Sequence, residues 1–151
     1  DGPGAIVAYR KFVRLDPTNP RGHAALGRLL TQASEWSEAI VAFECAILLE
    51  PLVGEHRFNL GVVWYTTSNF PEAVKAYREA VRLRPTVALA RFALGNGLRA
   101  LGDLNGAIAE FEESKRLDPN DARFALALAF ATRQRDALNP KLAPPPREVK
   151  R

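Results

Sequence analysis

Apolar side chains along this chain fall at helical intervals, and the interval pattern itself recurs. Ala5, Ala39, Ala73 and Ala107 are each followed four residues later by a ring, Tyr9, Phe43, Tyr77 and Phe111. Three residues further on stand Phe12, Ala46, Ala80 and Ser114. Spacings of four and three put these side chains on one stripe of a helix, and Ile40, Ile47, Val74, Val81 and Ile108 widen it. Acidic residues such as Glu35, Glu38, Glu44, Glu50, Glu110, Glu112 and Glu113 belong to the same segments and read as their solvated outer covering. Between these helices runs a second set, in which Leu26-Gly27, Leu60-Gly61, Leu94-Gly95 and Leu128-Ala129 share a register.

Both sets recur every 34 residues, and so do Pro17, Pro51, Pro85 and Pro119. Each unit therefore parses as two helices, and a unit this short cannot bury its apolar face without neighbours. The prolines lie just past the second helices and stop them. Asn69-Phe-Pro-Glu72 predicts a capped helix start, with Asp103 capping the next. Glycine inside a helix costs about 1 kcal/mol relative to alanine. Its threefold recurrence predicts close approach of a neighbouring helix, with two backbones brought together.

Those residues carry a resemblance. The Leu-Gly pair, the alanine with an aromatic four residues later, the terminal proline and the 34-residue period resemble the tetratricopeptide repeat family from about Asp1 to Arg135. One departure is the register of the family's usual aromatic near the start of the first helix, which holds His23, Arg57, Arg91 and Ala125. The resemblance implies an all-α, right-handed α-solenoid of helix-turn-helix hairpins. Its phase places a half repeat at 1–17, full repeats at 20–51, 54–85 and 88–119, and a terminal helix at 122–136 of a solenoid spanning 1–137. Residues 138–151 form a Pro-rich basic tail, expected to be extended or disordered. Phe124 to Ala131 is apolar nearly all round, so one face of that helix calls for a cover: the tail folded back, a partner subunit, or a second copy of the chain.

Composition narrows the class without naming a task. At 151 residues, 47% apolar and 25% charged, the chain reads as one ordinary globular domain. Its longest apolar run, Phe124 to Ala131, is far short of the roughly 20 residues that cross a bilayer, so direct membrane insertion is not expected. The opening Asp-Gly-Pro-Gly shows no signal-peptide pattern, and the compartment is left unspecified. The single cysteine, Cys45, excludes an intramolecular disulfide and reads as a buried structural thiol. Trp36 and Trp64 read as core. A formal charge of +4 inclines the chain towards anionic partners.

Catalysis finds little support. His23 and His56 lie on different first helices with no Asp or Cys spaced for a triad or a metal site, so no catalytic residue, metal or small-molecule cofactor is expected. Gly95-Asn-Gly97 sits inside a helix, where a phosphate-binding loop would follow a strand. Nucleic acid is disfavoured because the arginines are dispersed and the net charge is modest.

Binding fits better. The first helices (20–33, 54–67, 88–101, 122–135) carry eight arginines against Glu55 alone, about +7, while the second helices sum to about −3. The resemblance implies that first helices line a concave face, whose groove registers here select Arg21, Arg28, Phe58, Asn59, Tyr65, Phe92, Asn96, Arg99, Arg123, Phe130 and Arg133. Arginine can fork onto carboxylates, asparagine can hold a peptide backbone, and the phenylalanines offer apolar anchors. The family's carboxylate clamp for chaperone tails is disfavoured: Asn59 matches it, but Ala24, Arg28, Leu89 and Ala93 stand where Lys, Asn, Lys and Arg belong. The expectation is a protein-interaction module or adaptor whose protein or peptide partner bears acidic or carboxylate groups. The alternative is a structural or assembly subunit of a larger, membrane-associated or soluble complex, packing through its solenoid ends. Homo-oligomerisation is compatible with either.

Overall fold

The computed structural model describes residues 2–139, so the Pro-rich tail, apart from Leu138 and Asn139, lies outside the described residues. Eight helices and no strand occur among them: α1 Gly2–Leu15, α2 Pro20–Gln32, α3 Trp36–Leu49, α4 Gly54–Thr66, α5 Phe70–Leu83, α6 Ala88–Ala100, α7 Leu104–Leu117 and α8 Ala122–Leu138. Each helix packs on the next, with the tightest pairs being α2 with α3, α4 with α5, and α6 with α7. Those are the hairpins. In addition α2 touches α4 and α4 touches α6, while the second helices α3, α5 and α7 do not approach one another to the same degree. The first helices thus follow the shorter arc and make the concave side.

The starts of these helices show local chemistry at work. Asn19 accepts from the Gly22 amide at 3.1 Å, Asp103 from the Gly106 amide at 2.9 Å and Asp121 from the Arg123 amide at 2.9 Å. Asn69 departs from expectation, because its side chain makes no capping bond. Its backbone carbonyl still accepts from the Ala73 amide at 3.0 Å, so this helix starts without the side-chain bond to the third helical residue that Asn19 and Asp103 make. Glu72 instead pairs with Lys75 at 2.7 Å.

The turn inside each hairpin passes through one left-handed residue: Ser34 at φ 60°, Ser68 at φ 61° and Gly102 at φ 83°. These positions share the 34-residue register. Its fourth member, Asp136, lies within α8, which runs on to Leu138, past the expected end at 136.

Ala39, Ala73 and Ala107 are fully buried, as are the rings of Phe43 and Phe111, and Tyr77 nearly so. The recurrent glycines face those rings. A Cβ built on Gly27, Gly61 or Gly95 would lie 2.8 Å from Phe43, 2.6 Å from Tyr77 or 2.5 Å from Phe111. What comes close is therefore an aromatic ring of the hairpin's second helix, and the expectation of two backbones meeting is corrected. Gly97 faces Val74 of the preceding hairpin, at 2.8 Å from such a Cβ.

Candidate functional site

The register that lacks the family's aromatic has another use here. His23 Nε2, Arg57 Nη2 and Arg91 Nε each donate to the carbonyl of the proline six residues earlier, Pro17, Pro51 and Pro85, at 2.9, 3.5 and 2.9 Å. Proline ends the preceding helix and its carbonyl has no intrahelical partner, so a long donor from the next first helix satisfies it. Arg91 also reaches Glu110 on α7 at 3.0 Å. Ala125 cannot make this bond.

Arg57 and Arg91 are therefore spent on the fold, and Arg135 pairs with Asp136 at 2.7 Å. The positive excess of the first helices overstates what faces the concave side. His56 is buried, and its Nε2 donates to Glu50 at 3.1 Å. Among the described residues no group of three or more His, Cys, Asp or Glu is placed to hold a metal ion. No described helix is long and apolar enough to cross a membrane.

Of the groove candidates, Arg21 is exposed and Arg28 leans towards Glu55 at 3.9 Å. Phe58 is half-buried against Tyr77, with ring centroids 5.8 Å apart. Asn59 is half-buried too, and its amide nitrogen is enclosed without a hydrogen-bond partner, which shuts it off from a ligand in this conformation. Phe92 is wedged between Phe111 and Phe124, at 5.7 and 5.1 Å, and serves packing. Tyr65 meets Phe70 edge-on at 5.3 Å and, with Tyr77, Leu89, Phe92, Ala93 and Asn96, lines a small hollow of about 150 Å³. Arg123 folds back onto Asp121, whose carboxyl is held below the usual carboxylate range chiefly by that hydrogen bond.

The remaining candidates converge. Asn96 and Arg99 on α6 and Phe130 and Arg133 on α8, together with Leu126, Ala127 and Ala129, line an open cleft of about 580 Å³. The Arg99 guanidinium lies over the Phe130 ring, 5.4 Å from its centroid. Phe130 is 58% exposed and Leu126 69%, so the cleft floor is apolar while guanidinium groups flank it. Leu126 belongs to the same register as Phe58 and Phe92. Its exposure, not its position, is what the sequence left unstated.

A family model described as Tetratricopeptide repeat matches residues 24–88 and 65–122. The chain belongs to the tetratricopeptide repeat family. Solved structures agree on the fold. The crystal structure of MamA is similar with a TM-score of 0.86 at 24% identity, covering 89% of this chain and 79% of that one. MamA 41-end from Desulfovibrio magneticus RS-1 gives 0.84 at 19% identity over 89% of this chain and 76% of that one. The first TPR of Spaghetti (RPAP3) bound to HSP90 peptide SRMEEVD gives 0.74 at 19% identity, covering 76% of this chain and 91% of that one. At these identities the likeness concerns the fold alone. A search of curated proteins returns no match. Tetratricopeptide repeats are protein-interaction scaffolds, and this chain is one by family.

Other expectations meet the structure on the outer side. Trp36 and Trp64 are both half-buried against the core. Cys45 is partly exposed rather than buried, because its register is an outward one that holds Lys11, Glu79 and Glu113 in the other repeats.

Proposed function

We propose that the concave face binds a peptide or protein segment bearing carboxylates around an apolar side chain, and that the chain acts as an adaptor without catalytic activity. The cleft between α6 and α8 carries this reading. Its floor of Leu126 and Phe130 suits a leucine or phenylalanine of the ligand, and Arg99 and Arg133 can fork onto flanking carboxylates. A tetratricopeptide neighbour in fold holds the peptide SRMEEVD, which is rich in carboxylates. The residues around Asn59 do not repeat that family's clamp, so the contact here is assigned to the α6–α8 end. Both histidines are engaged in holding the backbone or a carboxylate of the fold, in keeping with a binding role.

The test is fluorescence anisotropy with acidic peptides carrying one leucine or phenylalanine, set against the same peptides with lysine in place of the acids. Arg99→Glu combined with Arg133→Glu should abolish binding of the acidic set, with added salt weakening the wild-type complex. Undiminished binding by the double variant, or a preference for the lysine set, removes the cleft as the ligand site.

A further inference from the structure

One exposed apolar stripe belongs neither to the core nor to the concave face. Val41, Cys45 and Leu48 follow one another at intervals of four and three on α3, and Leu52 continues the line in the turn beyond. Val41 is 58% exposed, Leu48 82% and Leu52 77%. In the same registers the other repeats hold Val7, Lys11, Arg14 and Thr18 from α1 onward, Lys75, Glu79, Arg82 and Thr86 from α5 onward, and Ala109, Glu113, Arg116 and Asn120 from α7 onward, so polar residues fill the last three positions of each. These registers thus form an outward surface on which one repeat alone is apolar at all four positions, in the middle of the array. Spacings of four and three are those with which one helix meets another along a seam.

The two flanks of the stripe carry opposite charge. On the α1 side stand Lys11 and Arg14, both exposed and in no ion pair among the described residues. On the α5 side stands Glu44, likewise exposed and outside any described ion pair, at the edge of a furrow it shares with Trp64, Glu72, Lys75 and Glu79. In that furrow Lys75 is already paired with Glu72, Glu79 with Arg82, and Arg57, which also lines it, is turned to the Pro51 carbonyl.

We propose that this stripe is the interface of a symmetric dimer, in which α3 of one copy lies parallel to α3 of a second copy about a two-fold axis running along the helix. That operation lays the basic flank of each copy over the Glu44 flank of the other, so the opposed charges meet twice. An antiparallel pairing would set Lys11 and Arg14 against their own equivalents. The parallel pairing also brings Cys45 opposite Cys45 of the second copy and Leu48 opposite Leu48. The seam is short, and the dimer is correspondingly concentration-dependent.

Sedimentation of the full chain under reducing conditions, over a range of concentrations, tests this. The wild type passes from monomer to dimer. Leu48→Glu raises the dissociation constant roughly tenfold or more by placing a charge in the seam, while Leu126→Glu in the concave cleft leaves it unchanged. Leu48 is exposed, and circular dichroism confirms that its variant stays folded. Lys11→Glu with Arg14→Glu weakens the dimer, and adding Glu44→Lys restores it. Oxidation with copper phenanthroline joins the two Cys45 thiols into a disulfide-linked dimer, and Cys45→Ser abolishes that product. A wild type that stays monomeric, or a dimer indifferent to Leu48→Glu, overturns the proposal; a dimer that fails to cross-link through Cys45 overturns the parallel arrangement. None of these outcomes depends on peptide capture by the α6–α8 cleft, so the two readings stand or fall separately.

Discussion

The Phe111 ring occupies the space that a side chain on Gly95 would need, with the nearest ring carbon 2.5 Å from where a Cβ would stand. Phe111 is fully buried and has nowhere to retreat. Gly95→Ala gains about 1 kcal/mol of helix propensity and loses about 1–3 kcal/mol to overpacking. The expected outcome is a net loss of stability, read as a lower urea midpoint. Ala129 holds the equivalent register in α8 and is exposed. There Ala129→Gly has only the propensity to lose, about 1 kcal/mol. The same register thus disfavours alanine in one repeat and favours it in another.

Ser34 and Ser68 hold left-handed backbone that Gly102 adopts freely in the third hairpin. A non-glycine residue pays roughly 1–2 kcal/mol in that region, offset in part by the greater freedom of glycine in the unfolded chain. Ser68→Gly should raise stability by about 0.5–1 kcal/mol, and Gly102→Ser should lower it by a similar amount. Thermal denaturation of the two single variants checks both signs.

Arg91 joins three elements, since it donates to the Pro85 carbonyl that closes α5 and to Glu110 of α7. Its side chain is 20% exposed and that of Glu110 22%, which limits solvent screening. A double-mutant cycle with Arg91→Ala and Glu110→Ala should give a coupling of about 0.5–2 kcal/mol. Arg91→Lys should recover little of it, because an ammonium cannot serve the carbonyl and the carboxylate with the same planar fork. The exposed Arg116–Glu113 pair should show a coupling of less than about 0.5 kcal/mol in the same measurement.

Burial pushes the Tyr77 phenol up from its ordinary value. The folded state therefore keeps the proton while the unfolded chain loses it near pH 10. Stability from this group is complete below that point and falls as the pH rises above it. Tyr77→Phe should flatten the decline. The check is the difference between wild-type and variant urea midpoints from roughly pH 9 to 11.

Much of the fold was legible because its cause is local. Alanine, ring and small residue at intervals of four and three mark the buried stripe of each second helix, and proline after them ends it. The recurrent Leu-Gly marks the matching face of each first helix. The Asp103 cap was legible for the same reason, whereas the Asn19 and Asp121 caps emerged only in the structure. Asn69 has the residue type and spacing of a cap yet makes no bond to the Glu72 amide, because residue type permits a capping bond without fixing the side-chain rotamer. The left-handed serines were missed, since only Gly102 announces the conformation in its residue type.

The candidate site was legible as a set of registers and not as a surface. Phe92 and Leu126 occupy equivalent positions on neighbouring first helices, yet Phe92 is clasped by Phe111 and Phe124 while Leu126 lies open in the cleft beside Phe130.

Sequence by itself determined the two-helix unit, its period, the core faces and the family, because these follow from side chains placed on a single helix and its immediate partner. Tertiary structure alone decided which arginines remain available. Arg91 is held by Pro85 and Glu110, Arg123 by Asp121 and Arg135 by Asp136, leaving Arg99 and Arg133 at the cleft. It likewise turned Val41, Cys45 and Leu48 from an ordinary helical stripe into an outward one. A charge or an apolar side chain has its effect through what it faces, and that is set by the stacking of one hairpin on the next.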